Sequence, residues 1–455
     1  MDAVLRVGYA RQAVTPTEPI PLAGYSNEKK RFHEKITQPV CVTCVAISDD
    51  EDSTVLMVGM DICTVPGMIF ERTEEIARQV GVPADRIYMA ATHTHAGPSI
   101  GTGDRFPSMQ QYEEQFYEAI IQVCKDALAD SQPATMYTGS IETQDMNFVR
   151  HYKVTDPADD HVCYGGDVFP PPAQCTYLEH ATAIDPTMHI VKFAREGGKD
   201  VVVANFRAHA TLDCGGENHN LSSSYVGPFR DALEAMTGCY AAFFQGAAGN
   251  NQPISRFPHE HHFTTAVSYG LALAAYCVQG LNTCMTQVPV GKIKTKQIKH
   301  YAHINHTMDH LAPVAKKLRQ EWNEHLDSKR CREEGKPYGI RSPMHAGAIW
   351  WNSERTDEEH GWMILNAVSI GDHFAFVTFP GEMFDTISVR MEENSPFDTT
   401  MMLGYCYHHI GYMPSMAAWK YTSYETDITR FAPGAGETVA DTHVAMLTEL
   451  KEKEC

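Results

Sequence analysis

The chain has 455 residues, of which 43% are hydrophobic and 10% aromatic, enough apolar material for a large core. Its 57 acidic and 37 basic residues give a formal net charge of −20, which disfavours nucleic-acid and anionic-lipid partners. The N-terminal residues lack an apolar signal segment, and no apolar run reaches the roughly 18 residues of a membrane span. The 13 cysteines form no repeating frame, as expected of reduced thiols. These features predict a cytoplasmic protein without a membrane partner.

Apolar runs alternate along the chain with stretches of helical periodicity. Runs of this length, bounded by polar turns, are typical of buried strands. Such alternation predicts an α/β fold with a mixed, largely buried sheet flanked by helices. The expected strands are 54–60, 87–91, 201–206, 240–244 and 363–379, and the expected helices lie near 67–80, 108–130, 226–237, 264–280 and 381–393.

Two segments interrupt this alternation. Residues 153–179 contain YGGDVFPPPAQC, whose composition predicts a loop. Residues 296–340 are rich in charge, with an apolar residue at every fourth position from Val314 to Leu326, which predicts one helix with an apolar stripe. That helix could dock on the core, form a lid or make a dimer contact. We expect a single catalytic domain over 1–455 with insertions at 153–179 and 296–340, and a homo-oligomer is left open.

The motif RIYMAATHTHAGPS combines a short strand with two histidines. Residues two apart on an extended backbone project to one side, so His93 and His95 are expected to face one site. Open α/β sheets bind ligands where strands end. Taken alone, this H-x-H pattern is equally typical of two loop histidines.

Two further residues strengthen the case for a ligand site at these strand ends. VVVANFRAHATLD is a second apolar strand that ends near His209, and HFAFVTFPGEMFDTI is a third that ends near Glu382. Two histidines and one carboxylate at three strand ends would match a catalytic zinc site with an open coordination position.

With these residues in view, the sequence resembles the neutral, non-lysosomal ceramidases. THTHAGP is similar to their THTHSGP signature, and the other blocks occur in the family's order over residues 5 to 435. These blocks are AVTPTEPIPLAGYSN near the start, LMVGMDIC with Asp61, FRAHAT with His209 and FPGE with Glu382.

The C-terminal block GYMPSMAAWKYTSYE matches the family's Gly-Tyr and Tyr-Glu pairs. The resemblance implies that zinc is held by His93, His209, Glu382 and Tyr412. It also implies that His95 and Tyr424 are catalytic residues beside the substrate or the developing oxyanion. The family's active-site arginine falls on Arg150, in MNFVRHY, as a substrate-binding residue.

One block departs from the family. Where neutral ceramidases have G-D-x-S-P-N with a catalytic serine, this chain has FFQGAAGNNQPIS, with Asn250 at the aspartate position and Gln252 at the serine position. A glutamine amide neither ionises nor attacks readily, whereas zinc lowers the pKa of bound water from about 15.7 to about 7. We therefore expect water as the nucleophile, with Asn250 and Gln252 hydrogen-bonding a polar substrate.

The sequence thus predicts a zinc-dependent hydrolase that cleaves an amide or related acyl bond of a small polar molecule rather than ceramide. Two alternatives remain open. A metal-dependent lyase or isomerase acting on a carbohydrate would need the same metal ligands. A catalytically inactive, ligand-binding relative would account for the missing serine.

Overall fold

The computed structural model describes residues 4–25, 31–49, 53–156, 161–166, 175–215, 218–257, 259–260, 263–421 and 423–452. Within these ranges the two largest β-sheets pack face to face, with helices on both outer surfaces. No helix among them combines the length and the apolar character needed to cross a bilayer. The mixed α/β fold with a largely buried sheet is confirmed, and the second sheet was not predicted.

The larger sheet has nine strands in the described part of the chain. Most neighbours run antiparallel, but the strand pairs at its two ends run parallel. The predicted strands at 54–60, 87–91, 201–206 and 240–244 are all present in it. In spatial order the strands are Tyr240–Gln245, Val201–Phe206, Thr187–Arg195, Gln132–Glu142, Leu5–Ala13, Cys41–Ser48, Thr54–Met60 and Ile87–Ala91, with Thr286–Gln287 beside Gln132–Glu142.

Helices cover the outer face of this sheet because each has an apolar stripe. The longest begins with Pro107, a residue suited to the first helical turn, and it buries Met109, Phe116 and Ile120. The predicted helix at 67–80 is divided into two at Arg72. The helices on this face are Gly67–Glu71, Thr73–Val80, Pro107–Ala129, Val226–Thr237 and Ala266–Thr283.

The smaller sheet lies against the inner face of the larger one. Val368, Phe376 and Met401 from the smaller sheet share one apolar core with Val45 and Phe193 from the larger. The expected single strand at 363–379 is wrong, because a turn at Gly371, with φ 63°, folds this run into a hairpin. The strands are Ile293–Tyr301, Trp362–Ile370, Phe374–Thr378 and Thr399–Leu403, and helices Asp385–Glu393 and Ala435–Glu452 pack on their outer face.

The two interrupting segments have more regular structure than their composition indicates. Residues 153–156, 161–166 and 176–179 belong to a three-stranded sheet, so the loop predicted for YGGDVFPPPAQC is wrong at 164–166. Residues 157–160 and 167–174 lie outside the described residues. In the second segment, residues 296–301 continue a strand of the smaller sheet. The striped helix is present as Ala312–His325. That these segments are insertions stays a prediction.

The remaining elements are the strands His151–Asp156, His161–Gly166 and Thr176–His180 and the helices Ser328–Gly335, Pro343–Ser353, Asp357–His360 and Tyr424–Ile428. Short 3₁₀ turns lie at Ala84–Arg86, Asp309–Leu311, Lys336–Tyr338 and Met416–Lys420.

Three short ladders connect the loops near the strand ends. Each has only two residues a side, so it fixes the relative position of two loops rather than building a sheet. The pairs are Lys35–Ile36 with Asn220–Leu221, Phe148–Val149 with Asn251–Gln252, and Glu382–Met383 with Tyr412–Met413.

A buried ion-pair network joins the larger sheet to the helix that begins soon after Glu382. Arg207, 1% exposed, pairs through Nη1 with Asp185 and donates from Nη2 to Glu392 Oε1 at 2.8 Å. His189 Nε2 lies 3.2 Å from the other oxygen of Glu392. Burial raises the pKa of Glu392, but Arg207 and His189 outweigh it and lower that pKa to about 2. Because a carboxylate held this way is costly to unpair, the network fixes the two segments together.

We predict that Glu392→Gln lowers the free energy of unfolding at pH 7 by about 3 kcal/mol, since it leaves Arg207 buried without full compensation. The folded-state pKa lies below the unfolded value, so the contribution is complete above about pH 4.5 and declines as pH falls toward 2. Urea unfolding at several pH values measures both effects. The exposed neighbour Glu393→Gln is the control, and equal losses in the two variants would contradict the network's role.

Candidate metal centre

Three chain segments meet where strands of the two sheets end. Strand Ile87–Ala91 leads to His93, strand Val201–Phe206 leads to His209, and strand Phe374–Thr378 leads to Glu382. All three side chains are buried, at 2%, 0% and 5% exposure. The structure therefore brings together three residues that lie far apart in sequence.

The carboxylate of Glu382 is the centre of this group. Its Oε2 lies 3.2 Å from Nε2 of His93 and 3.2 Å from Nε2 of His209. The ligand atoms of the three residues all lie within 4.8 Å of one another. Oε2 is buried and has no hydrogen-bond partner among the described residues. A buried carboxylate oxygen in this situation favours a cation beside it.

Backbone carbonyls orient both imidazoles. His93 Nδ1 lies 2.7 Å from the carbonyl oxygen of Cys63, and His209 Nδ1 lies 2.7 Å from that of Ala248. A nitrogen facing a carbonyl must carry the proton, so in each neutral ring Nε2 keeps its lone pair. Two lone pairs and one carboxylate oxygen thus point at each other, an arrangement that suits a divalent metal ion.

The pKa values agree with a site that attracts positive charge. Burial lowers the pKa of His93, but Cys63 and Glu382 outweigh it and raise the value to about 10. Burial and the Arg150 cation lower the pKa of His209 to about 4. Burial raises the pKa of Glu382, yet the two histidines hold it well below its ordinary value.

His95 reaches the same space, although not by the route that the sequence predicted. The expected extended backbone at His93 is wrong, since that residue has φ 63°, a left-handed conformation that is uncommon for residues other than glycine. Even so, Nε2 of His95 lies 3.0 Å from Nε2 of His93. Burial and, after it, the charge of His93 lower the pKa of His95, so this ring is neutral near pH 7.

Tyr412 and Tyr424 line the neighbouring side. Tyr412 pairs with Glu382 across a two-residue parallel ladder, and its ring lies 5.9 Å from that of Tyr424. Tyr424 is the first residue of helix Tyr424–Ile428 and is half-buried. The positions of Tyr412 and Tyr424 are compatible with the roles that the resemblance implies for them. Those roles stay predictions, as does metal binding by the three converging residues.

Arg150 is buried in the centre rather than at the surface, at 5% exposure. Its Nη2 donates to Tyr412 Oη at 3.1 Å, and its Nη1 lies 3.5 Å from His209 Nε2. Its Nε donates to Glu425 Oε1 at 2.6 Å. The guanidinium therefore contacts Tyr412 and lies beside His209, two of the zinc ligands that the resemblance implies.

Sequence reasoning missed the residues that hold Arg150. Glu425, 0% exposed, binds Arg150 through Oε1 and lies 2.7 Å from His151 Nε2 through Oε2. Burial raises the pKa of Glu425, but Arg150 and His151 outweigh burial and lower that pKa, so the carboxylate is charged. Adjacency was the available signal, because Glu425 is next to Tyr424 and His151 is next to Arg150.

The block that replaces the serine motif has a mixed outcome. Asn250 donates from Nδ2 to Asp385 Oδ1 at 2.7 Å and accepts from the Asp385 N–H at 2.9 Å. Both ends of its amide are used and it is 2% exposed, which argues against the predicted substrate contact and for a structural role. Gln252 is half-buried, and its contact with substrate stays a prediction. Ser255 donates to Glu260 at 2.6 Å.

Two more side chains border the centre. Cys63 Sγ lies 3.8 Å from His93 Nδ1, and Cys63, His93 and His95 form a second group with metal-ligand spacing. The group with Glu382 suits zinc better, since the Nδ1 of His93 already faces a carbonyl. His409 Nε2 lies 3.5 Å from Glu382 Oε1 and borders the site on its more open side.

The fold corresponds to a known class of structure, that of the neutral ceramidases. The crystal structure of neutral ceramidase from Pseudomonas aeruginosa superposes with a TM-score of 0.70 at 17% sequence identity, over 100% of this chain and 75% of the ceramidase chain. A structure described as ceramidase complexed with C2 gives a TM-score of 0.72 at 16% identity, over 99% and 76%. The ceramidase-like fold is thereby confirmed over the whole chain.

Sequence comparison adds nothing to this likeness. No family model matches the chain, and no curated protein matches it at the significance threshold. At 16–17% identity the structural likeness establishes the fold, and fold alone does not determine a reaction.

We predict that the purified chain binds one zinc ion and that His209→Ala abolishes binding, because it removes one of the three buried ligands that converge on the site. Metal content per chain, measured by plasma mass spectrometry after dialysis, provides the test. His303→Ala is the matched control, since that side chain is 88% exposed. Retention of zinc by His209→Ala together with its loss in Cys63→Ser would instead assign the metal to the Cys63 group.

Proposed function

We infer that this protein is a zinc-dependent hydrolase that cleaves an amide or related acyl bond of a small polar molecule. The observation that carries this proposal is the buried convergence of His93, His209 and Glu382, with the side chains of Tyr412 and Arg150 beside it. The fold supports it, because two solved structures with the same architecture are ceramidases.

The proposed metal ligands are His93, His209, Glu382 and Tyr412. When bound, zinc would supply Lewis acidity, polarising a carbonyl oxygen and making water nucleophilic near neutral pH. Gln252, at the serine position of the ceramidase motif, has no nucleophilic group, which supports water as the attacking species.

The other side chains have distinct tasks in this proposal. Arg150, fixed by Glu425, holds the Tyr412 hydroxyl in place through its 3.1 Å hydrogen bond. Tyr424 would donate a hydrogen bond to the oxygen on which negative charge develops. His95, neutral near pH 7, has an Nε2 that can take a proton and return it to the leaving group.

We propose a polar substrate rather than a lipid. A formal net charge of −20 disfavours approach to an anionic membrane surface. The centre is lined by a guanidinium, four imidazoles, two phenols and two carboxylates, groups that bind hydrogen-bonding substrates better than hydrocarbon. A small molecule, with no nucleic-acid or membrane partner, fits these features.

Turnover in ¹⁸O-labelled water tests the reaction class. Zinc-loaded protein, offered a panel of amides, esters and N-acyl sugars, is expected to release a carboxylic acid carrying one labelled oxygen. Mass spectrometry of the product measures this. An unlabelled product would indicate elimination or isomerisation, and no turnover across the panel would contradict a hydrolase of this substrate class.

We predict that Tyr424→Phe lowers kcat by about 100-fold with little change in KM, because the hydroxyl acts mainly on the charge of the transition state. Steady-state kinetics on the substrate found in the panel provides the measurement. Tyr338→Phe is the control, since Tyr338 is 46% exposed on a different element. A rise in KM at constant kcat would mean that Tyr424 only binds substrate.

A further inference from the structure

A cavity lies behind the helix that carries Tyr424. Its volume is about 220 Å³, several times the roughly 30 Å³ that one water occupies in the liquid. Tyr424 and Glu425 belong to the metal centre, whereas Thr426 and Asp427 of the same helix line the cavity. The two sites therefore share a wall without sharing the proposed metal ligands.

Helix Pro343–Ser353 builds one side of the cavity. His345, Ile349 and Asn352 line it at spacings of four and three residues, which places them on one face of the helix. The facing walls come from 305–309 and 419–421. Ser342 caps the helix by accepting from the His345 N–H at 3.0 Å, so this face is held by a rigid element.

Two polar atoms at the cavity have no hydrogen-bond partner among the described residues. Asn352 is 4% exposed, and its Nδ2 donates to the carbonyls of Asn305 and Thr429 at 3.1 and 3.3 Å. Its Oδ1 and the Nε1–H of Trp419 are the two atoms left buried and unmatched in this part of the structure. A buried acceptor and a buried donor left unmatched cost free energy, and a ligand with both kinds of group would satisfy them.

The charges at the cavity are largely balanced. Asp427 accepts from Arg341 Nε at 2.8 Å and lies 3.2 Å from His345 Nδ1. Oδ2 of Asp309 lies 2.9 Å from Nδ1 of His306. Lys420 is exposed, so water screens its charge. With both carboxylates paired, the cavity favours a neutral ligand over an ionic one.

We propose that this cavity binds a small neutral polyhydroxy compound of monosaccharide size. Each hydroxyl both donates and accepts, so one ligand can donate to Asn352 Oδ1 and accept from Trp419 Nε1. The rings of Trp419 and Tyr421 supply the flat apolar surface that the C–H groups of such a molecule need. The proposal is independent of the reaction at the metal centre.

Binding of glucose, galactose and myo-inositol to the full-length protein tests the site, with sodium gluconate as the charged comparison. Isothermal titration calorimetry and saturation-transfer NMR are expected to show at least one neutral probe with a Kd on the order of 1 mM or tighter. Trp419→Phe keeps the ring but removes the donor, and should weaken binding about three- to tenfold. Trp350→Phe is the matched control, because Trp350, on helix Pro343–Ser353, donates from Nε1 to Glu354 in an exposed contact away from the cavity.

A second variant keeps the test decisive if Trp419→Phe fails to fold. Met308→Trp places a larger side chain at the cavity wall and is expected to abolish binding of the neutral probes. The proposal is overturned if none of the neutral probes binds, if both cavity variants bind as the wild type does, or if gluconate binds more tightly than glucose. The first of these results would assign the cavity to water alone.

Discussion

The carboxylate of Glu382, buried between two imidazole nitrogens at 3.2 Å each, is the constraint on which the rest of the structure depends. An isolated buried carboxylate is strongly unfavourable, so its surroundings must supply positive charge and hold it in place. Strand ends from both sheets meet here, and the Arg207 network fixes the helix that begins soon after Glu382 to the larger sheet. The packing of the two sheets is thus coupled to the geometry of the site.

A second buried ion pair, Arg150 with Glu425, keeps the site electrostatically balanced. Glu382 and Glu425 both carry negative charge, and Arg150 lies between these two carboxylates. Its Nε is bound to Glu425, and its Nη1 lies 3.5 Å from Nε2 of His209. Burying such a pair is costly unless each group is well hydrogen-bonded, and here His151 and Tyr412 provide the additional contacts. This arrangement leaves Glu382 as the carboxylate available to a cation.

Local patterns in the sequence were sufficient to predict four strands of the larger sheet, the main helices and the convergence of His93, His209 and Glu382, because these depend on apolar runs and on the residues directly after them. Long-range contacts were beyond those patterns. The second sheet, the left-handed backbone at His93 and the pairing of Asn250 with Asp385 each depend on residues distant in sequence. Within the segment 153–179, YGGDVFPPPAQC was predicted as a loop from its Gly and Pro content, yet its residues 164–166 pair as a strand. Glu425 was adjacent to a predicted residue, but its importance depends on Arg150, 275 positions away.

The cavity lined by Thr426 and Asp427 lies on the face of helix Tyr424–Ile428 that is turned away from the metal centre. One face of this short helix belongs to the metal centre and the other to the cavity, so a ligand bound there would contact the element that positions Tyr424. Close-packed interiors transmit strain, so the position of Tyr424 depends on how the cavity side of this helix is packed.

X-ray absorption spectroscopy at the zinc edge, on the zinc-loaded protein, tests most directly whether Glu382 is the centre of the metal site. A site centred on this carboxylate predicts an inner shell of nitrogen and oxygen only, at about 2.0–2.2 Å, with the outer-shell scattering of two imidazoles. A sulfur scatterer at about 2.3 Å would place Cys63 in the shell instead of Glu382, and that result would contradict the carboxylate-centred site.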